Sequence, residues 1–262
     1  MTKLERIVAK QARTLAKARS QGQLPRFVDV GCVIHSKGYD WCYVERLYNM
    51  VTRNMPVPIR FHVWTEHDRS VPPHMIKHCL DEWPGVSGPK KSWWYKMQMF
   101  DPRHHAGDLL YFDLDTVIVG DLSWIVQEAT DRFWILRDFR YLQNSRIQHN
   151  VNSSIMWWNV SAWRSVWDEF SRRNIADVVR AYHGDQDLIN ALIPPAQRQF
   201  LDDRRVQSWR WQAHDGGWDF RTRRPRTPGA GTVIEPDVSV LVFHGRPKPH
   251  QINDLVVHTH WQ

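Results

Sequence analysis

The order of strand, helix and strand near the start of this 262-residue chain narrows its fold more than any other feature. Phe27-Val-Asp-Val-Gly-Cys-Val-Ile34 is a short apolar run after the helix-ending Gln21-Gly-Gln-Leu-Pro25, and it reads as a buried strand. Residues 39–53 put Val44, Leu47, Tyr48 and Val51 on one helical face. After Pro56 and Pro58, Ile59-Arg-Phe-His-Val-Trp64 makes a second strand. Such a βαβ start implies a parallel sheet covered by helices, an α/β fold. The alternation continues with a helix over 92–99, a strand from Asp108 that ends in a turn by Val119, and strands at 133–136 and 154–158. Helices follow at 162–172 and at 185–192, the latter stopped by Pro194-Pro195, and Val240-Leu-Val-Phe243 returns to strand. No internal repeat or linker divides the chain. The expected organisation is a basic helix within residues 1–22 followed by one domain over 23–262.

Composition excludes several classes. No apolar run approaches the length of a transmembrane helix, and the N-terminus has no apolar signal core. Cys32, Cys42 and Cys79 lack metal or redox spacing, as expected in a reducing compartment. A soluble, cytoplasmic protein is expected. The 35 basic residues outnumber the 28 acidic ones, and 26 of them are Arg, which grips phosphates and carboxylates bidentately. Fifteen Trp add surfaces on which bases or sugar rings stack. Nucleic acid, a nucleotide-sugar and an anionic membrane all fit these numbers. Residues 3–19 read as a basic helix that could touch such a membrane peripherally or pack on the domain. The Gly-, Pro-, Arg- and Trp-rich stretch from 203 to 231 reads as a functional loop, an acceptor-side element or lid, with Trp209, Trp211 and Trp218 available to stack a sugar.

The most informative segment is Leu109-Leu-Tyr-Phe-Asp113-Leu114-Asp115-Thr116. Strand side chains alternate faces, so Asp113 and Asp115 are expected to project together at the strand's C-terminal edge while Leu114 points away into packing. Two adjacent carboxylates repel unless a cation joins them, and Mg²⁺ or Mn²⁺ would leave open positions for a diphosphate. Asp121 reads as the N-cap of a helix near Trp124. Two enzyme groups use such a pair. Haloacid-dehalogenase-like phosphatases place Asp-x-Asp after their first strand and use the first Asp as nucleophile, which would be Asp113. Glycosyltransferases of the GT-A fold place it on the metal that holds a nucleotide-sugar.

Several further segments favour the second group. From 27 to 250 the chain resembles glycosyltransferase family 8, the group of glycogenin and bacterial lipopolysaccharide glycosyltransferases. Val33-Ile-His35-Ser-Lys37-Gly-Tyr39 is similar to its nucleoside-binding start. Trp94-Tyr-Lys96 is similar to the donor-touching Lys before the metal strand. Asn152-Ser153-Ser154 with Asp138 resembles the Asn-Ser-Gly segment, with Ser in place of Gly. Gly184-Asp185-Gln186-Asp187 resembles the element beside the anomeric carbon. His244-Gly245-Arg246-Pro-Lys248 is a shortened form of the final His…Lys motif.

The resemblance implies a GT-A fold and a metal, Mn²⁺ first and Mg²⁺ second, on Asp113, Asp115 and His244. It implies donor contacts from Val33, His35, Lys37, Tyr39, Lys96, Asp113, Leu114, Asp138, Asn152, Ser153, Gly245, Arg246 and Lys248, and catalytic roles for Asp185 and Gln186. The implied reaction moves a sugar, with retention, from a UDP-type donor to a glycan or other hydroxyl acceptor. The rival readings are the phosphatase and a basic, Trp-rich nucleic-acid-binding protein; no nucleic acid is expected on the preferred one.

Overall fold

The computed structural model describes residues 24–35, 38–86, 91–128, 132–219, 221–229 and 231–262. The expected helix over 3–19 and Lys37 lie outside the described residues. No described helix is long and apolar enough to cross a membrane.

The βαβ start is present. β1 (Val28–Val33) and β2 (Ile59–Thr65) pair in parallel, and α1 (Cys42–Asn54) joins them. A further parallel strand, β3 (Met75–Cys79), borders β2; the alternation of its sequence is weak and had not marked it. On the other side β1 pairs in parallel with β4 (Asp108–Phe112). Then come β7 (Val151–Asn159), antiparallel to both neighbours, β6 (Phe133–Arg137) and β8 (Arg198–Phe200). The resulting seven-stranded sheet has the order β3-β2-β1-β4-β7-β6-β8, mixed but mostly parallel.

Alternation along β1 and β4 divides the apolar residues between two layers. Val30, Leu47, Phe61, Leu110 and Phe112 pack on the side of α1. Trp64, Trp94, Leu109, Tyr111 and Trp158 pack on the opposite side, under a 3-10 helix over Ser92–Phe100 and the helices α2 (Arg164–Ser171), α3 (Ile175–Ala181) and α4 (Asp185–Leu192). The helix expected at 92–99 is therefore of the tighter kind. Asp121 holds the Ser123 amide at 3.3 Å and so braces the turn before the short helix Ile125–Gln127, whose own N-cap is Trp124.

The strand expected to run on from Asp108 breaks after Phe112. Its continuation, β5 (Thr116–Ile118), leaves the large sheet and pairs with β10 (Val240–Val242), which also pairs with β9 (Val206–Ser208). This small sheet draws part of the supposed loop into the fold. Trp209 begins a π-helical turn over Trp209–Ala213, is 4% exposed, and stacks on Phe243 with centroids 4.9 Å apart. It is a core residue rather than a platform for sugar. Arg226 ties the following segment down, with its guanidinium 3.0 Å from Glu235. A short helix, α5 (Leu255–His260), closes the chain. Trp209→Ala is expected to lower stability by about 3–5 kcal/mol, the usual cost of emptying a buried indole site, as read by chemical denaturation.

Candidate active site

The break after β4 builds the candidate site. The Thr116 amide donates to the Asp113 carbonyl at 3.2 Å, and its hydroxyl donates to the same oxygen at 2.8 Å. Asp113-Leu-Asp115 is thus a tight turn, not the last residues of a strand, and strand alternation is not what orients the pair. Leu114 is 4% exposed and anchors the turn in the core. The turn still lies beyond the C-terminal end of a parallel strand, the edge at which open α/β sheets take ligands.

Each carboxylate has its own lysine. Lys96 Nζ lies 2.9 Å from Asp113 Oδ1 and 3.1 Å from Asp185 Oδ2. It also donates to the Ser153 hydroxyl at 3.1 Å, and that hydroxyl donates to Asp185 at 2.7 Å. The Asp113 amide donates to the Ser154 carbonyl at 2.8 Å, and the Tyr111 hydroxyl donates to the Asp113 carboxylate. Asp115 is held by the Lys248 ammonium and by the Tyr39 hydroxyl at 2.9 Å. Residues far apart in sequence, on the 3-10 helix, the turn, β7 and the start of α4, therefore share one set of charges. Gly184 is the N-cap of α4, so Asp185 is its first residue and is turned to Lys96 rather than capping. The positive end of the helix dipole supports its charge.

Burial alone would lower the Lys96 pKa, but Asp113 and Asp185 outweigh it and hold the ammonium above the ordinary lysine value. Burial likewise acts to raise Asp113, and Lys96 and the Tyr111 hydroxyl reverse it, leaving this carboxyl below its usual range. Asp115 goes the other way. Its burial, together with repulsion from Asp113, prevails over Lys248 and raises its pKa.

The other expected residues divide. His244 follows β10, stacks on Phe139 at 5.4 Å, and its Nε2 shares a 2.6 Å hydrogen bond with Ser208 Oγ. Burial, then the Arg210 charge, lowers its pKa to about 4, so it is neutral near pH 7 and has a lone pair for a metal. Gly245 has φ of 73°, and a Cβ there would come within 3.2 Å of an Arg210 nitrogen, so the turn after His244 needs glycine. Arg246 is exposed beside it. Among the described residues, Asp113, Asp115 and His244 do not bring their ligand atoms within 4.8 Å of one another. Two carboxylates and a neutral imidazole are nevertheless a donor set suited to Mn²⁺ or Mg²⁺, with the lysines standing as counter-charges.

Asp138 is engaged by Arg140, 2.6 Å from its guanidinium, and caps the 3-10 helix Phe139–Leu142. Asn152 accepts from the Ser154 amide at 3.0 Å. His35 stacks on Tyr95 at 3.8 Å and faces Glu82 at 3.1 Å, while Val33 is half-buried at the end of β1. Gln186 is half-buried beside Asp185. Two partners escaped the sequence. Tyr111 could have been found, because it lies two residues before Asp113 on the strand that delivers it. Ser208 carries no local signal, since only the pairing of β9 with β10 brings it to His244.

No protein-family model matches this chain, and no curated protein matches it in sequence. Its three-dimensional likeness is to glycosyltransferases of the GT-A fold. The galactosyltransferase LgtC, solved with donor and acceptor sugar analogues, is 15% identical with a TM-score of 0.57, over 85% of this chain and 89% of that one. An active-site mutant of LgtC gives 16% and 0.59 over 88% and 93%. The apo form of the bifunctional glycosyltransferase WbbM gives 14% and 0.55 over 86% of this chain and 47% of that one. These likenesses show the fold.

Lys96→Ala should unfold the site, because it leaves the buried Asp185 carboxylate and the half-buried Asp113 without their cation; a loss of about 3–5 kcal/mol is expected in denaturant titrations. The lowered pKa of His244 has a definite sign. Its stabilising preference for the neutral ring is intact above about pH 6.5 and is lost as pH falls towards about 4, since the unfolded chain then binds the proton more readily. His244→Gln should flatten that part of the stability–pH curve of the metal-free protein, as measured by thermal melting.

Proposed function

We propose that this protein is a cytoplasmic, metal-dependent glycosyltransferase that moves a sugar from a UDP-type nucleotide donor to a glycan or other hydroxyl acceptor, with retention at the anomeric carbon. The observation that carries the reading is the charged turn Asp113-Leu-Asp115 at the ligand edge of a GT-A sheet, joined through Lys96 to Asp185. The dehalogenase alternative requires a different fold, with its Asp pair after the first strand.

On this reading Asp113, Asp115 and His244 would hold Mn²⁺ or Mg²⁺, which when bound supplies positive charge against the departing diphosphate. Lys96 keeps Asp113 ionised and in place at the turn. Lys248 and the exposed Arg246 add positive charge on the diphosphate side. Asp185, held by Lys96 and Ser153, presents negative charge where positive charge develops on the sugar ring, and Gln186 beside it orients the transferring group. Asp138, Asn152 and Ser153 would meet the sugar hydroxyls, and Tyr39, His35 and Val33 the nucleoside.

A panel of nucleotide-sugars, scored for Mn²⁺-dependent thermal stabilisation and slow donor hydrolysis, tests the proposal. One donor should stabilise the protein and turn over, and Asp113→Asn or Asp115→Asn should reduce turnover by roughly 100-fold or more. A folded protein indifferent to every nucleotide-sugar with Mn²⁺ would overturn it.

A further inference from the structure

A second set of metal-binding side chains lies away from this site. Asp29 is near the start of β1, His62 is on β2, His78 is on β3, and His104 and His105 lie in the connection between the 3-10 helix bearing Lys96 and β4. The register pairs Val30 with Leu110, so Asp29 is level with Leu109, about 13 Å along the strands from the Asp113 turn at 3.3 Å per residue.

Asp29 Oδ1 lies 2.8 Å from His62 Nε2, and Asp29 Oδ2 lies 3.9 Å from His105 Nε2. The ligand atoms of all three residues fall within 4.8 Å of one another, on side chains no more than 11% exposed. Tetrahedral zinc, with bonds of about 2.0–2.1 Å, sets its ligand atoms about 3.4 Å apart, a spacing these contacts bracket. His62 also has the support that metal-ligating imidazoles use, because its Nδ1 is 2.8 Å from His78 Nε2. His104 stands edge-on to His78 at 5.9 Å, and its buried Nε2 has no hydrogen-bond partner. Burial lowers the pKa of His104 and His105, and burial with neighbouring imidazoles lowers His78 to about 3.

Two contacts compete with an ion. His105 Nε2 lies 3.1 Å from the Asp108 carbonyl, and Arg60 clamps Asp29 with Nε at 2.5 Å. Both can be released. His105 sits on a connecting segment, and the Arg60 side chain is 47% exposed, lying over Phe27 at 3.7 Å. Arg60 is the counter-charge of Asp29 in the metal-free state.

We propose that Asp29, His62 and His105 form a structural transition-metal site, for zinc first, with His78 orienting His62 and water completing the shell. The ion would pin β1 and β2 to the connection between the helix bearing Lys96 and the strand that delivers Asp113. The site does not depend on the proposed reaction.

The test uses the untagged, chelator-treated full chain titrated with ZnCl₂, and separately with CoCl₂. About one zinc per chain should bind beyond any held at Asp113, Asp115 and His244 and raise the melting temperature, and cobalt should give the visible bands of a tetrahedral nitrogen and oxygen site. His105→Gln should weaken zinc binding by about 100-fold, whereas the Asp113→Asn/Asp115→Asn double variant should bind it as the parent does. Should His105→Gln fail to fold, the cobalt spectrum of the parent decides. The proposal fails if zinc does not bind stoichiometrically, if His105→Gln binds it unchanged, if the double variant loses it, or if the cobalt spectrum is octahedral.

Discussion

The buried ammonium of Lys96 is the interaction on which the rest of the candidate site depends. A cation enclosed in a protein interior is tolerated only with compensating charge and hydrogen bonds, and Lys96 finds them in Asp113, Asp185 and Ser153. The compensation is reciprocal. Asp113 can stay ionised while largely enclosed only because the lysine is there, and Asp185 is drawn in from the start of a helix packed in the same layer as the 3-10 helix that bears the lysine. One side chain thus sets the mutual positions of a turn, a strand and a helix.

The second constraint is the departure of the chain from the large sheet after Phe112. Continuing β4 would have kept both aspartates in a strand and left β5 unavailable to β10. The Thr116 contacts to the Asp113 carbonyl bend the backbone instead, and Leu114 fills the core beneath. Because β10 then runs beside β5, the chain after it returns His244 and Lys248 to the same region. Lys248 reaches Asp115 by this route across more than half the chain.

The residues legible in the sequence were those whose signal is local. The strand of β1, the helix at 42–54, the helix Asp185–Leu192 and the acidic pair each announce themselves within a short stretch, although the turn that holds the pair does not. Partners joined across elements were not legible. Nothing near Asp115 says that Lys248 takes its carboxylate, and nothing near Trp209 says that it stacks on Phe243. Composition misled there: a Gly-, Arg- and Trp-rich stretch reads as loop, but burial of one indole and pairing of three residues in β9 place its beginning inside the fold.

What the sequence determined by itself was the α/β alternation and the chemistry of the acidic pair, because hydrophobic period and residue type are properties of short segments. The tertiary structure decided which cation meets which carboxylate: Lys96 for Asp113 and Asp185, Lys248 for Asp115, and Ser208 as the partner of His244. It also gathered Asp29, His62, His78 and His105 from β1, β2, β3 and a connecting segment. The reason is physical. Electrostatic and hydrogen-bond partners are chosen by distance in a low-dielectric interior, and strand order sets that distance, not separation along the chain.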